Sequence, residues 1–243
     1  MRMINFAKRN FKELIRDPFS LLFEIALPLF LLFIFQQFDI PADNFRLENF
    51  TPSIILFGFS FITLFTASLI AKDRTSSLLI RLGTSPMKPK DYILGYILAL
   101  IPLVLIQIVL FFVLAIALGL SFTISIIPTV LVALVIAIFF ISMGILIGSL
   151  VSEKGTGALG SGIVQLVCFT SGMYFPKEIV TGVFEVICTI LPFEGCLNIL
   201  KGVLHNDFSN ITPVQIVVFA IYFIAVILLS IVVFKKKMVS DNK

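Results

Sequence analysis

The chain of 243 residues is 59% hydrophobic and has a mean hydropathy of +1.11, whereas soluble domains contain roughly 45–50% apolar residues. A soluble fold could not bury that much apolar surface, so most of the chain is expected to lie in lipid. The net charge is +4, but no Lys- or Arg-rich tract alternates with aromatic residues, which argues against a nucleic-acid partner.

Residues 1–16 predict an amphipathic helix that lies in the membrane interface and contacts lipid headgroups. Its apolar face is expected to hold Ile4, Ala7, Phe11, Leu14 and Ile15. The basic residues around the other face are Lys8, Arg9, Lys12 and Arg16. Asp17 and Pro18 then supply an N-cap and a proline suited to the first turn, so a new helix is expected to begin there.

Six apolar runs follow, and they predict an all-α membrane protein with six transmembrane helices in a single domain over residues 1–243. About twenty helical residues cover the roughly 30 Å hydrocarbon core, and every run reaches that length except the fifth, which is short and begins Gly-rich. The predicted spans are 19–38, 52–71, 92–118, 126–151, 159–174 and 213–234.

The basic residues predict the orientation of these spans. Fifteen of the eighteen Lys and Arg residues fall on the side of the termini, in residues 1–17, 72–91, 152–157 and 235–243. The remaining three, on the opposite side, are Arg46, Lys177 and Lys201. Because basic loops stay inside the cell, both termini are expected to be cytoplasmic.

The polar segment 72–91, between the second and third spans, predicts a surface that a soluble protein could press on. Residues 74–82 can form a short helix, which Gly83 would end. We interpret this helix as a docking element. Its apolar face would consist of Leu78, Leu79 and Leu82, and its basic residues are Arg74 and Arg81.

On the opposite side, residues 175–205 predict two short amphipathic helices broken by Pro192. Such a hairpin could dip into the outer leaflet or cap a pathway. Cys188 and Cys196 lie in it and could form an external disulfide, although we favour simple packing. His205 is interpreted as a surface residue, since the sequence brings no further metal ligands to it.

Sequence motifs exclude several chemistries. No GxxxxGK[ST] phosphate loop is present, so the chain is not expected to hydrolyse ATP, and no catalytic or metal site is predicted. Residues 155–160 fit GxGxxG, but no strand precedes them, and close helix packing is the better interpretation. The GxxxG motif of Gly144 and Gly148 similarly favours packing within the chain over a dimer seam.

Few polar residues lie inside the predicted spans. Glu24 is the only acid there, and we favour a structural pairing with Arg16 or the docking segment over contact with a transported cation or polar substrate. Polar residues of the fifth span could line a cavity or bond to neighbouring backbone. They are Gln165, Thr170 and Ser171.

Three stretches in order resemble the membrane subunit of type-2 ABC transporters, six-span permeases that export drugs, lipids, polysaccharides and peptides. The opening KRNFKELIRDPFSLLFEIALPLFLLFIF is similar to that family's interfacial helix, Arg-Asp-Pro entry and Pro-bearing first span. KDRTSSLLIRLGTSPMKPKDYILGYIL is similar to its coupling-helix loop, although Thr75 to Ser77 stand where relatives often carry Gly-Thr and an acid. GMYFPKEIVTGVFEVICTILPFEGCLNILKGVL is similar to its external hairpin.

The resemblance implies that two permease copies pair with two separate ATPase subunits, which bind ATP and Mg²⁺. Each ATPase would receive the 74–82 helix in a cleft, and a path between the permeases would be lined by the first, second and fifth spans. We expect an efflux homodimer in a bacterial plasma membrane that exports amphipathic drugs or antimicrobial peptides and confers antibiotic resistance. The alternatives are export of lipid or lipid-linked glycan, a stand-alone carrier or channel, and a membrane scaffold.

Overall fold

A computed structural model describes the whole chain except Met1, Asp39 and residues 77–88, 176–178 and 241–243. The described residues form helices and contain no strand, in agreement with the predicted all-α fold. Residues Leu22–Ala26 of the second helix are wound as a π-helix, with α-helix on either side. The helices are α1 Arg2–Ile15, α2 Pro18–Phe35, α3 Leu47–Thr75, α4 Pro89–Ala117, α5 Ile126–Leu150, α6 Glu153–Thr170, α7 Val183–Ile190, α8 Pro192–His205 and α9 Pro213–Ser240.

Five of the described helices are long and apolar enough to cross a bilayer, namely α2, α3, α4, α5 and α9. Helices α7 and α8 meet at an angle of 66° and would make a sixth such segment if they were counted together. The chain is therefore a multi-pass membrane protein, as its composition predicts.

Helix α3 is the most buried of the long helices and lies at the centre of the bundle. Helix α5 packs on it closely because Gly144 and Gly148 face Thr66 and Ala67. A Cβ atom on Gly148 would lie 2.5 Å from the carbonyl oxygen of Ala67. The GxxxG motif thus serves packing within the chain, as predicted.

The helix ends gather into two groups. Helix α1, the last turn of α3, the first turns of α4 and the α5–α6 turn contact one another at the end we call the basic end. Phe234, near the end of α9, packs there against Tyr92 and Tyr96. At the other end, which we call the hairpin end, Gln215 at the start of α9 hydrogen bonds to Glu194 of α8.

The fifth predicted span differs from the helix observed. Helix α6 begins at Glu153 rather than at residue 159 and ends at Thr170 rather than at 174, and it is absent from the group of five apolar spans. Its Gly-rich start stays helical because Gly160 packs against Leu64 of α3. The helix nevertheless runs between the two ends, since the residues flanking it contact the basic end and the hairpin end respectively.

Candidate functional site

An ion pair joins α1 to the last turn of α3 at the basic end. The guanidinium of Arg9 donates two hydrogen bonds to the carboxylate of Asp73, at 2.9 Å and 3.2 Å. The Tyr96 hydroxyl of α4 donates to the same carboxylate at 2.7 Å. Asp73 is only 1% exposed, so a buried carboxylate connects the three helices α1, α3 and α4 through charged hydrogen bonds.

A second acid extends this network. Glu13 accepts a hydrogen bond from Arg9 at 2.8 Å and pairs with Lys72 at 2.9 Å. Burial by itself would lower the pKa of Arg9, but the hydrogen bond and charge of Asp73 and the charge of Glu13 raise it overall. The Arg9 guanidinium therefore stays charged and keeps α1 attached to α3.

The buried face of α1 differs from the predicted apolar face. Ala7 and Leu14 are buried as expected, but Phe6 and Asn10 are buried beside them, while Ile4 and Ile15 are exposed. The reason is that Phe6 packs edge-on against Tyr92 and Tyr96, which turns the helix toward α4. Phe11, which was also predicted to lie on the apolar face, is half-buried. Of the predicted basic face, Lys8, Lys12 and Arg16 are exposed, and Arg9 is turned inward to Asp73.

The predicted docking helix is described only at its first residues. Arg74 and Thr75 do not start a new helix but form the last turn of α3. The Arg74 guanidinium donates to the carbonyl oxygens of Gly148 and Ser149 at 3.1 Å and 2.9 Å, so it caps the C-terminus of α5. Leu78, Leu79, Arg81 and Leu82 lie outside the described residues.

Glu24 does not form the predicted pairing with Arg16, and residues 77–88 of the docking segment, the other predicted partner, lie outside the described residues. The Glu24 side chain is fully buried within the π-helical segment, and neither carboxylate oxygen has a hydrogen-bond partner among the described residues. Gln107 of α4 donates instead to the backbone carbonyl of Glu24 at 2.9 Å. Gln107 occupies space left by Gly58 of α3, where a Cβ atom would collide with its amide group.

A cavity of about 1090 Å³ opens at the basic end between α1, α2, α3 and the start of α6. Charged side chains line the cavity together with apolar side chains from α1 and α3. The lining residues include Lys8, Arg9, Lys12, Glu13, Leu14, Arg16, Asp17, Ser20, Phe65, Leu69, Lys72 and Glu153.

Comparison with known proteins identifies the family. The family model described as ABC-2 type transporter matches residues 3–205, which is most of the chain. The chain belongs to the ABC-2 type transporter family. No curated protein sequence matches the chain.

The chain is thus the membrane permease subunit of an ABC transporter, which confirms the resemblance of its three sequence stretches. Permeases of this family work with ABC ATPase partners. The basic end contains the interfacial helix and the segment that leads into the predicted docking loop, and the ion pairs described above connect them. That arrangement makes the basic end the candidate functional site of the permease.

The polar residues of the fifth span separate into two places in this permease. Gln165 is exposed on the face of α6 that also carries Gly162, beside which the structure leaves open space. Thr170 and Ser171 are buried near the hairpin end, and the Thr170 hydroxyl donates to the backbone carbonyl of Leu166. Of these three polar residues, only Gln165 therefore lies on the open face of α6.

A second cavity, of about 680 Å³, lies at the hairpin end. Thr170, Ser171, Glu194 and Gln215 are among its lining residues. Cys188 also lines this cavity, whereas Cys196 is fully buried. The interpretation of Cys188 and Cys196 as packing residues stays a prediction.

The residues that organise the basic end were not predicted from the sequence. The buried Gln107 side chain beside Glu24 was not predicted either. Asp73 and Glu13 were hidden among neighbouring basic residues, and nothing local marks Tyr96 as the partner of Asp73. Gln107 did carry a signal, because it is a lone amide in a long apolar run, and polar groups inside a membrane are costly to retain.

Proposed function

We propose that the permease is the membrane half of an ATP-driven exporter, in which two copies of this chain associate with two copies of a separate ATPase. The observation that carries the proposal is the network at the basic end. Arg74 belongs to the predicted docking segment, and it caps α5 while the adjacent Asp73 binds α1 and α4. A push on that segment would therefore move α1, α3, α4 and α5 together.

The basic end would face the cytoplasm. Most of the chain's Lys and Arg residues fall in the segments assigned to this side, and that bias is the strongest orientation signal in a membrane protein sequence. ATP and Mg²⁺ would then bind to the partner ATPase below this surface, with no nucleotide site on the permease itself.

Docking would use the apolar face of the 74–82 segment, with α1 alongside. Leu78, Leu79 and Leu82 would enter a cleft of the ATPase, and Arg81 would contact acidic groups at its rim. The exposed basic residues of α1 at this end, Lys8, Lys12 and Arg16, would support the same contact. Arg74 would transmit the movement, because its guanidinium already binds the end of α5.

The cavity at the basic end favours an amphipathic substrate. Its charged lining residues and its apolar ones, which include Phe65 and Leu69, would contact the polar and the apolar parts of such a molecule. The path would continue between the two permease copies along the first, second and fifth spans. The open face of α6 around Gly162 and Gln165 supports this route.

Docking is tested by combining Leu78→Asp and Leu82→Asp and measuring stimulation of the ATPase by the permease. The two carboxylates cannot enter an apolar cleft, so stimulation should be lost while membrane insertion is retained. The matched control adds two carboxylates at the hairpin end with Ser209→Asp and Asn210→Asp, in an exposed loop. Normal stimulation by the docking variant would refute the assignment.

Direction and substrate are tested in inside-out vesicles that contain the permease and its ATPase. An exporter should accumulate a fluorescent amphipathic dye inside these vesicles only when ATP is added outside. Movement of a labelled phospholipid or lipid-linked glycan instead of the dye would favour the lipid or glycan alternative. Dye movement that does not need ATP would favour a carrier or channel.

A further inference from the structure

Glu24 is a carboxyl group in the first span that lacks the partners a buried carboxylate needs. It is 0% exposed, and both of its side-chain oxygens are unpaired within the described part of the chain. Moving an ionised carboxylate into an apolar site without a partner costs several kcal/mol, on the order of the whole stability margin of a small domain. The group is therefore unlike the paired acids of the basic end.

No positively charged side chain of the neighbouring helices α3 and α4 lies at the level of Glu24. Glu24 is the only Asp, Glu, Lys, Arg or His between residues 18 and 38, and none occurs in residues 49–71 or 92–117. The charged and titratable groups of α3 and α4 lie near the helix ends instead, where Lys72, Asp73, Arg74 and Tyr96 already bind other groups. The full set on these two helices is Glu48, Lys72, Asp73, Arg74, Lys90, Asp91, Tyr92 and Tyr96.

The one polar side chain bound to this residue adds a further unpaired acceptor. The Gln107 amide nitrogen donates to the Glu24 backbone carbonyl, while the Gln107 side-chain oxygen has no partner among the described residues. The two carboxyl oxygens of Glu24 and the side-chain oxygen of Gln107 are thus all buried acceptors without a hydrogen-bond partner among the described residues. A proton on the Glu24 carboxyl would remove its charge and turn one of its oxygens into a donor.

The site lies close to water without opening to it. Ser20, one helical turn before Glu24, lines the cavity at the basic end. Glu24 and the two residues before it belong to the π-helical segment. Such segments are rare in proteins as a whole and are often found at functional sites. A modest movement of the first span would therefore bring the carboxyl to the cavity.

We propose that Glu24 is an intramembrane proton-binding site of the permease. The carboxyl holds a proton in the closed arrangement described here. When the first span opens to the cavity at the basic end, the carboxyl O–H bond breaks and water accepts the proton. This inference does not depend on export or on the ATPase, because it concerns the permease alone.

The test is infrared spectroscopy of the purified permease in lipid nanodiscs at neutral pH. The carbonyl band of a protonated carboxylic acid should be present, and Glu24→Gln should remove it. The matched control is Glu194→Gln, which changes a buried acid that already accepts a hydrogen bond from Gln215 and should leave the Glu24 band in place. A band that persists in Glu24→Gln, or a wild-type spectrum without one, overturns the proposal.

Two further measurements keep the test decisive. If Glu24→Gln fails to fold, Gln107→Leu should shift the band, since it removes the amide bound to the Glu24 backbone; an unshifted band counts against the proposed site. Titration with Na⁺ or K⁺ shows whether a proton or a metal cation occupies the Glu24 site. Loss of the protonated band on adding either cation at constant pH would assign the site to a metal cation and overturn the proton assignment.

Discussion

Arg9 and Asp73 stand 64 positions apart in the chain and form an ion pair with two hydrogen bonds. The pair joins the helix that precedes the first span to the end of the second span. Because Tyr96 of the third span donates to the same carboxylate, these parts of the basic end are held as one unit. The segment proposed to contact the ATPase begins directly after this unit.

Arg9→Ala should destabilise the permease by about 2 kcal/mol, because it leaves the buried Asp73 carboxylate without its guanidinium partner. The measurement is the thermal unfolding midpoint in detergent. Lys8→Ala removes an exposed cation from the same helix and should have little effect. The double variant Arg9→Ala with Asp73→Ala should lose less stability than the two single variants added together; simple additivity would contradict the pairing.

Gly148→Ala should destabilise the bundle by about 1–3 kcal/mol, because the added Cβ meets the backbone of Ala67 in α3. Gly162→Ala is the matched control, since nothing lies within 4 Å of a Cβ at that position. That substitution should be neutral or slightly stabilising in the same unfolding assay. Equal destabilisation by both substitutions would mean that α3 and α5 are not packed as described.

The helices could be predicted from the sequence because each depends on a local pattern of apolar length and terminal residues. The first span illustrates this, since the Asp17 side chain does accept hydrogen bonds from the backbone nitrogens of Phe19 and Ser20. The inward face of α1 could not be predicted in the same way. It is set by Tyr92 and Tyr96, which are distant in sequence and lie in a helix with no periodicity that points to α1.

The role of Arg74 could not be read from the sequence for a related reason. Arg74 lies in the basic segment 72–91, which the sequence alone led us to interpret as a docking surface. The structure shows that it binds the carbonyls of another helix, a contact that depends on where α5 ends. Glu24 illustrates the converse, since the sequence identified the unusual acid but could not show that a partner is missing.

Arg74→Ala should cost about 2 kcal/mol of stability, because it leaves the carbonyls at the end of α5 without their charged donor. It should also reduce stimulation of the ATPase, since the docking loop would no longer be attached to α5. Both properties are measured on the purified complex. Lys154→Ala, an exposed cation at the same end, is the control and should preserve both. Full stimulation by Arg74→Ala would remove this residue from the coupling route.

Cys188 should react with a membrane-impermeant maleimide added to intact cells, because it lines the cavity at the hairpin end, which is proposed to face outward. Cys188→Ser should abolish the labelling, since Cys196 is fully buried. A cysteine introduced at Lys154 in that background should react only after the cells are permeabilised. Labelling of the Lys154 position in intact cells would reverse the proposed orientation.

The most direct test of the account is affinity capture of the tagged permease in mild detergent, followed by mass spectrometry of the proteins that accompany it. We expect a soluble protein with a GxxxxGK[ST] phosphate loop at one copy per permease, and we expect the Leu78→Asp and Leu82→Asp variant to lose it. A permease that purifies alone and moves solutes across liposomes without ATP would contradict the coupling of the basic end to an ATPase.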